Sequence, residues 1–140
     1  MTKVVTVVRH KLLPSQEEAL RKANFEVLRN VEQIPNPGTQ EFNQLIQQLK
    51  AEGVKGIVTV ALPPHLLQAL SQHFEVFILK MEAIKTTENQ AEAEKLVNEK
   101  PTHRVALKGA LGEKETFRIL EFKGIFKIKV QIIEEPVVTV

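Results

Sequence analysis

The chain has 140 residues, 43% of them apolar and 26% charged, which suits one domain with a buried core. There is no Cys, and the formal net charge is only +2. This excludes thiol catalysis, disulfides and thiolate metal sites, and leaves no dense basic stripe for duplex nucleic acid. Asp, Trp and Tyr are also missing, and Ser occurs only at Ser15 and Ser71. A serine triad would lack its usual acid, and an acid/base dyad would have to rest on Glu. No apolar run reaches the ~20 residues needed to span a bilayer. The first residues enter a strand without an apolar signal region, so a cytoplasmic location is expected.

Val4-Val5-Thr6-Val7-Val8 is an apolar, β-branched run that reads as a buried strand spanning Lys3 to Val8. Arg9-His10-Lys11 follows directly. Ser15 and Glu18 have capping-box spacing, which predicts a helix from there to Asn24. A short strand is expected at Phe25–Leu28, then a loop at Pro35-Asn36-Pro37-Gly38. Thr39 can cap a helix that carries Phe42, Leu45, Ile46 and Leu49 on one face and ends at Gly53. Gly56 to Leu62 reads as a second buried strand. Pro63-Pro64 opens a helix with Leu66, Leu67 and Leu70. Glu75 to Met81 is a further apolar strand, and Thr87 with Gln90 marks another capping box before a polar helix to about Lys100.

Strands alternating with helices over residues 3–82 predict an α/β fold, Rossmann-like and doubly wound, with a mainly parallel sheet. The pattern changes after Pro101. Arg104 to Ala110 reads as a strand. Phe117–Phe122, Lys123-Gly124 and the alternating Phe126, Ile128, Val130 and Ile132 read as an antiparallel hairpin. The expected organisation is a core over residues 1–100 and a C-terminal β-hairpin extension over residues 101–140 of the same domain.

Ligands of open α/β sheets bind beyond the carboxyl ends of the strands. The first strand end would deliver Arg9, His10 and Lys11, the third Leu62, Pro63, Pro64 and His65, and the fourth Lys80, Met81 and Glu82. Arg9 and Lys11 suit phosphate; His10 and His65 can exchange protons near neutral pH. A solvated strand end is the competing reading of Arg9-His10-Lys11, and an exposed first-turn position that of His65. His73 suits the C-terminus of its helix. Thr102-His103-Arg104 reads as a surface turn, with a pocket wall as the alternative. The four His are scattered, with no paired metal spacing, and neither G-x-G-x-x-G nor a Walker-type loop is present. No cofactor or metal is expected.

The segments Val4–Leu20 (VVTVVRHKLLPSQEEAL) and Ile57–Leu67 (IVTVALPPHLL) resemble small CRISPR-associated proteins with a Rossmann-like, CARF-type fold. The resemblance covers under a quarter of the chain. It implies a homodimer in antiviral defence that binds cyclic oligoadenylate, with ring-nuclease cleavage in some members. Arg9 and His10 match the strand-end motif, and Leu62 and Pro63 match the Leu-Pro turn. Some relatives carry Ser or Thr where this chain has Val8. That departure implies binding without cleavage, or cleavage through other groups such as Lys11 or Thr102. The alternatives from the residues themselves are a protein-interaction module using the C-terminal hairpin, and a phosphosugar or small-nucleotide enzyme.

Overall fold

The computed structural model describes residues 1–111, 114–131 and 133–140, with side chains for all of these except 106–111, 114 and 115. Its first strand, β1 (Thr2–Val7), buries Val4, Val5, Thr6 and Val7 in succession. Such a run requires cover on both faces of the sheet. Alternate residues go to opposite cores. Val5 and Val7 join Phe42, Ile46, Leu49, Ile57 and Leu70, while Val4 joins Leu20, Val58, Leu79 and Phe122.

The remaining elements are α1 (Pro14–Lys22), β2 (Phe25–Asn30), α2 (Gln40–Ala51), β3 (Gly56–Thr59), α3 (Pro64–Ser71), β4 (Glu75–Thr87), α4 (Gln90–Glu99), β5 (His103–Leu111) and β6 (Lys114–Ile128). They form an α/β fold with one mixed sheet of order β2-β1-β3-β4-β6-β5. The first four of these strands run parallel; β6 is antiparallel to β4 and β5 antiparallel to β6. The order reverses at β1. The chain leaves β1 through α1 to reach β2, then crosses back through α2 to β3 on the other side. Leu20 of α1 packs in one core; Phe42 of α2 and Leu70 of α3 pack in the other.

Local chemistry sets the element ends. Thr39 caps α2, its hydroxyl accepting from the Phe42 amide at 3.2 Å, and the helix stops before Gly53, whose φ of +84° favours glycine. Two expected caps differ. Ser15 lies inside the first turn of α1, and the side chain of Gln16 caps instead, accepting from the Leu13 amide at 2.9 Å. Pro14 already fixes the entry to that helix. At α4 the cap is Asn89, which accepts from the Glu92 amide at 3.1 Å. Thr87 belongs to β4, where its hydroxyl accepts from the Asn89 amide and donates to Glu92.

The largest departures concern β3, β4 and β6. Strand β3 ends at Thr59, and Val60–Pro63 forms its connection to α3. Strand β4 continues past Met81 to Thr87, so Lys80, Met81 and Glu82 lie mid-strand. No turn forms at Lys123-Gly124. The segment is one strand, β6, paired with β4 from Val76↔Ile128 to Thr87↔Phe117. Between Lys80↔Gly124 and Met81↔Phe122 Lys123 is an extra residue, a β-bulge that Gly124 accommodates at φ +127°. The regular strand stops at Ile128, and Ile132 falls outside the described residues.

Candidate strand-end site

Two side chains that carry no charge shape the end of β1. The amide of Asn30 accepts from the Val8 N–H at 3.1 Å and donates to the Val8 carbonyl at 3.1 Å, as a neighbouring strand would. Its Oδ1 also accepts from the Thr6 hydroxyl at 2.9 Å. On the other flank, the buried hydroxyl of Thr59 donates to the Val7 carbonyl at 2.7 Å. The backbone just before Arg9 is therefore held from both neighbouring strands. Neither residue stands out in the sequence, because each acts through a strand pairing that only the fold creates.

Beyond this end lies a cavity of about 430 Å³, within the range of small-molecule sites. Its walls are mainly apolar, with Val7, Leu12, Ile34, Val60, Leu62 and Leu66 among them. Polar groups come from three directions: Arg9 and His10 after β1, Glu32 and Gln33 between β2 and α2, and Arg104 on β5. Two guanidiniums can bind an anion in bidentate fashion. The Glu32 carboxylate is an acceptor for hydroxyl or amino donors.

Of the residues singled out in the sequence, Arg9, His10, Leu62 and Pro63 meet at this cavity. Lys11, Pro64 and His65 do not line it; all three are exposed, Lys11 in the loop before α1 and the other two in the first turn of α3. Lys80 turns elsewhere, its ammonium 4.9 Å above the Phe126 ring. Met81 contacts the buried Gln16 amide at 3.3 Å. Of Thr102-His103-Arg104, expected as a surface turn, His103 and Arg104 instead open β5, with His103 buried and Arg104 on the cavity wall, the alternative reading.

Next to Arg104, His103 is buried. Its Nδ1 lies 2.6 Å from the Leu96 carbonyl and its Nε2 lies 2.9 Å from Glu121 Oε2. Both partners are acceptors, so the imidazolium, with a proton on each ring nitrogen, is the form that satisfies both contacts. The Leu96 carbonyl, then Glu121, hold its pKa above the ordinary 6.5. Glu121 is pulled down to about 2, first by the Lys123 ammonium at 2.7 Å and then by His103. Lys123 is raised in return by Glu121.

At the opposite end of the parallel strands, Lys50 lies 3.1 Å from His73 Nδ1 in a wide, shallow depression that includes Lys55 and Glu75. Among the described residues, no group of three or more His or Glu side chains could hold a metal ion. No described helix is long and apolar enough to cross a membrane. Comparison with protein-family models, curated proteins and solved structures returns no match.

Proposed function

We propose that the chain is a Rossmann-like, CARF-type protein whose strand-end cavity binds a cyclic oligoadenylate messenger of CRISPR antiviral signalling. The observation that carries this reading is the meeting of Arg9 and Arg104 at an apolar cavity where the strand order reverses. The guanidiniums take the phosphodiester, and the apolar walls take an adenine face. Glu32 accepts a hydrogen bond from a ribose hydroxyl or the exocyclic amine.

A ring larger than one cavity calls for two facing copies, so the binding species is a homodimer. Cleavage, where it occurs, draws on the chain's own groups. His10 accepts the proton of a ribose 2′-hydroxyl as that oxygen attacks the neighbouring phosphorus. The P–O5′ bond breaks to leave a 2′,3′-cyclic phosphate, and the leaving 5′-oxygen takes up a proton from solvent. Arg9 and Arg104 balance the charge gathering on phosphorus.

The competing reading, a protein partner docked on the C-terminal strands, has less support. Phe122 is buried in the core and Phe117 is half-buried, leaving Phe126 exposed beneath Lys80. A thermal-shift screen against cyclic tri-, tetra- and hexa-adenylate, with each mixture then run on a product gel, tests the proposal. Stabilisation that disappears in Arg9→Ala supports it, because a ligand bound only by the native state raises the melting temperature. Linear products add the ring-nuclease activity. Absence of a shift with every ring overturns it.

A further inference from the structure

Resting on the reading of Arg104 as an arm of the cavity, we infer that His103, clamped between the Leu96 carbonyl and the Glu121 carboxylate, is a positioning residue that sets where Arg104 stands. Successive strand residues point to opposite faces. On β5 His103 points to α4, where Leu96 receives one ring nitrogen, and Arg104 lines the cavity. Fixing the ring therefore fixes the strand face on which Arg104 stands.

Three further contacts restrain the same stretch. The Phe122 amide donates to the Thr102 carbonyl at 2.9 Å, and the His103 amide donates to the Lys100 carbonyl at 3.1 Å. The Ser15 hydroxyl lies 3.4 Å from the Pro101 carbonyl, tying α1 to the segment that leads into β5. None of these titrates. The clamp on the ring does.

A neutral imidazole has one N–H and cannot donate to Leu96 and Glu121 together. Raising the pH through the folded-state value of His103 removes one of the two contacts and loosens the start of β5. The charged groups around the ring are Glu121 and Lys123 on β6, Lys100 at the end of α4, and Glu82 on β4 opposite Glu121. Glu121 is held down at about 2 and Lys123 is raised above its ordinary value, so of these three coupled groups His103 is the one that changes charge near neutrality. Anion affinity in the cavity thus depends on a ring the ligand does not touch.

The test is the dissociation constant of the wild-type chain, Arg9→Ala, Arg104→Ala and His103→Gln for cyclic tetra-adenylate, measured from pH 6 to 9. The phosphodiester keeps its charge throughout. Arg104→Ala is expected to weaken binding about 10- to 100-fold, the range for a lost charge-assisted contact. His103→Gln is expected to weaken it roughly 2- to 30-fold at pH 6 and to flatten the decline in affinity toward pH 9. A decline with any other origin would persist in His103→Gln, so the part that disappears belongs to His103.

Histidine ring nitrogen shifts in the free wild-type chain provide a readout that needs no variant to fold. Protons on both His103 nitrogens at pH 6, with loss of one only above the ordinary 6.5, are expected, and a neutral ring at pH 6 would overturn the clamp. Wild-type affinity and an unchanged pH dependence in His103→Gln, with binding lost in Arg9→Ala and weakened in Arg104→Ala, overturn this inference alone. A wild-type chain that binds no cyclic tri-, tetra- or hexa-adenylate overturns the reading of the cavity and the inference with it.

Discussion

The parallel and antiparallel halves of the sheet are held together by different physics. In the parallel half, β1 and β3 are buried along almost their whole length, and Val4, Val5, Ile57 and Val58 are fully inaccessible. In the antiparallel half, β4 alternates buried Val76 and Leu79 with exposed Glu75 and Lys80, and Ile84 is exposed outright. Ion pairs join its elements: Lys127 to Glu75, Lys85 to Glu92, and His103 to Glu121, which Lys123 of the same strand also holds. Apolar burial dominates the first half, where Arg29 also pairs with Glu52, while the second half carries the His103–Glu121 tie that changes charge near neutrality. The cavity draws Arg9 from one half and Arg104 from the other, so on the proposed reading its two arginines are held by different kinds of interaction.

The largest expected effect is on the parallel side. Leu49 is fully buried beneath β1 and β3, and Leu49→Ala should cost about 2–5 kcal/mol, read from the denaturant midpoint. Gly56→Ala is next. A methyl group there would lie 2.9 Å from Phe77 Cε2 and 3.0 Å from Val4 Cγ1. Overpacking of this kind costs about 1–3 kcal/mol, and chemical denaturation should register it without a change in slope. Asn89→Ala removes the cap of α4 and should cost about 1 kcal/mol, concentrated in faster amide exchange along that helix.

The pH dependence separates the halves more sharply. His103 has its folded pKa raised, so its contribution is complete below the ordinary 6.5 and is lost as pH rises through the folded value. Glu121 has its folded pKa lowered, so its contribution is complete above the ordinary 4.5 and is lost as pH falls toward about 2. Both are fully present between about pH 4.5 and 6.5. Melting temperature against pH should form a plateau there, and His103→Gln should flatten its alkaline side while only reducing the acid side, because Lys123 still holds Glu121 down. The smallest change is expected for Lys127→Ala, because its pair with Glu75 is half exposed on both sides and screened by water. A shift as large as that of Asn89→Ala would contradict this ranking.

Local signals in the sequence account for much of the parallel half. The β-branched runs that start at Val4 and Ile57, the Thr39 cap and the spacing of Phe42, Ile46 and Leu49 are all short-range features. They place β1, α2 and β3 without reference to the rest of the chain. The antiparallel half resists such reading. Lys123-Gly124 has turn chemistry, yet β4 supplies a partner on both sides of it, so the pair becomes a bulge within β6. Thr87 has cap chemistry, but β4 runs that far because β6 pairs with it to the end. The site divides the same way. Arg9 and His10 follow directly from a strand end; Arg104, Asn30 and Thr59 matter through long-range pairings that no local pattern reveals.

The central claim is that one ligand is held by both halves at once. A map of backbone amide shifts on titration with cyclic tetra-adenylate tests it most directly. The account predicts perturbations in residues 7–12 and 60–66 together with Arg104, saturating at one common concentration. Shifts confined to the Lys50–His73 depression, or none at any concentration, would contradict it.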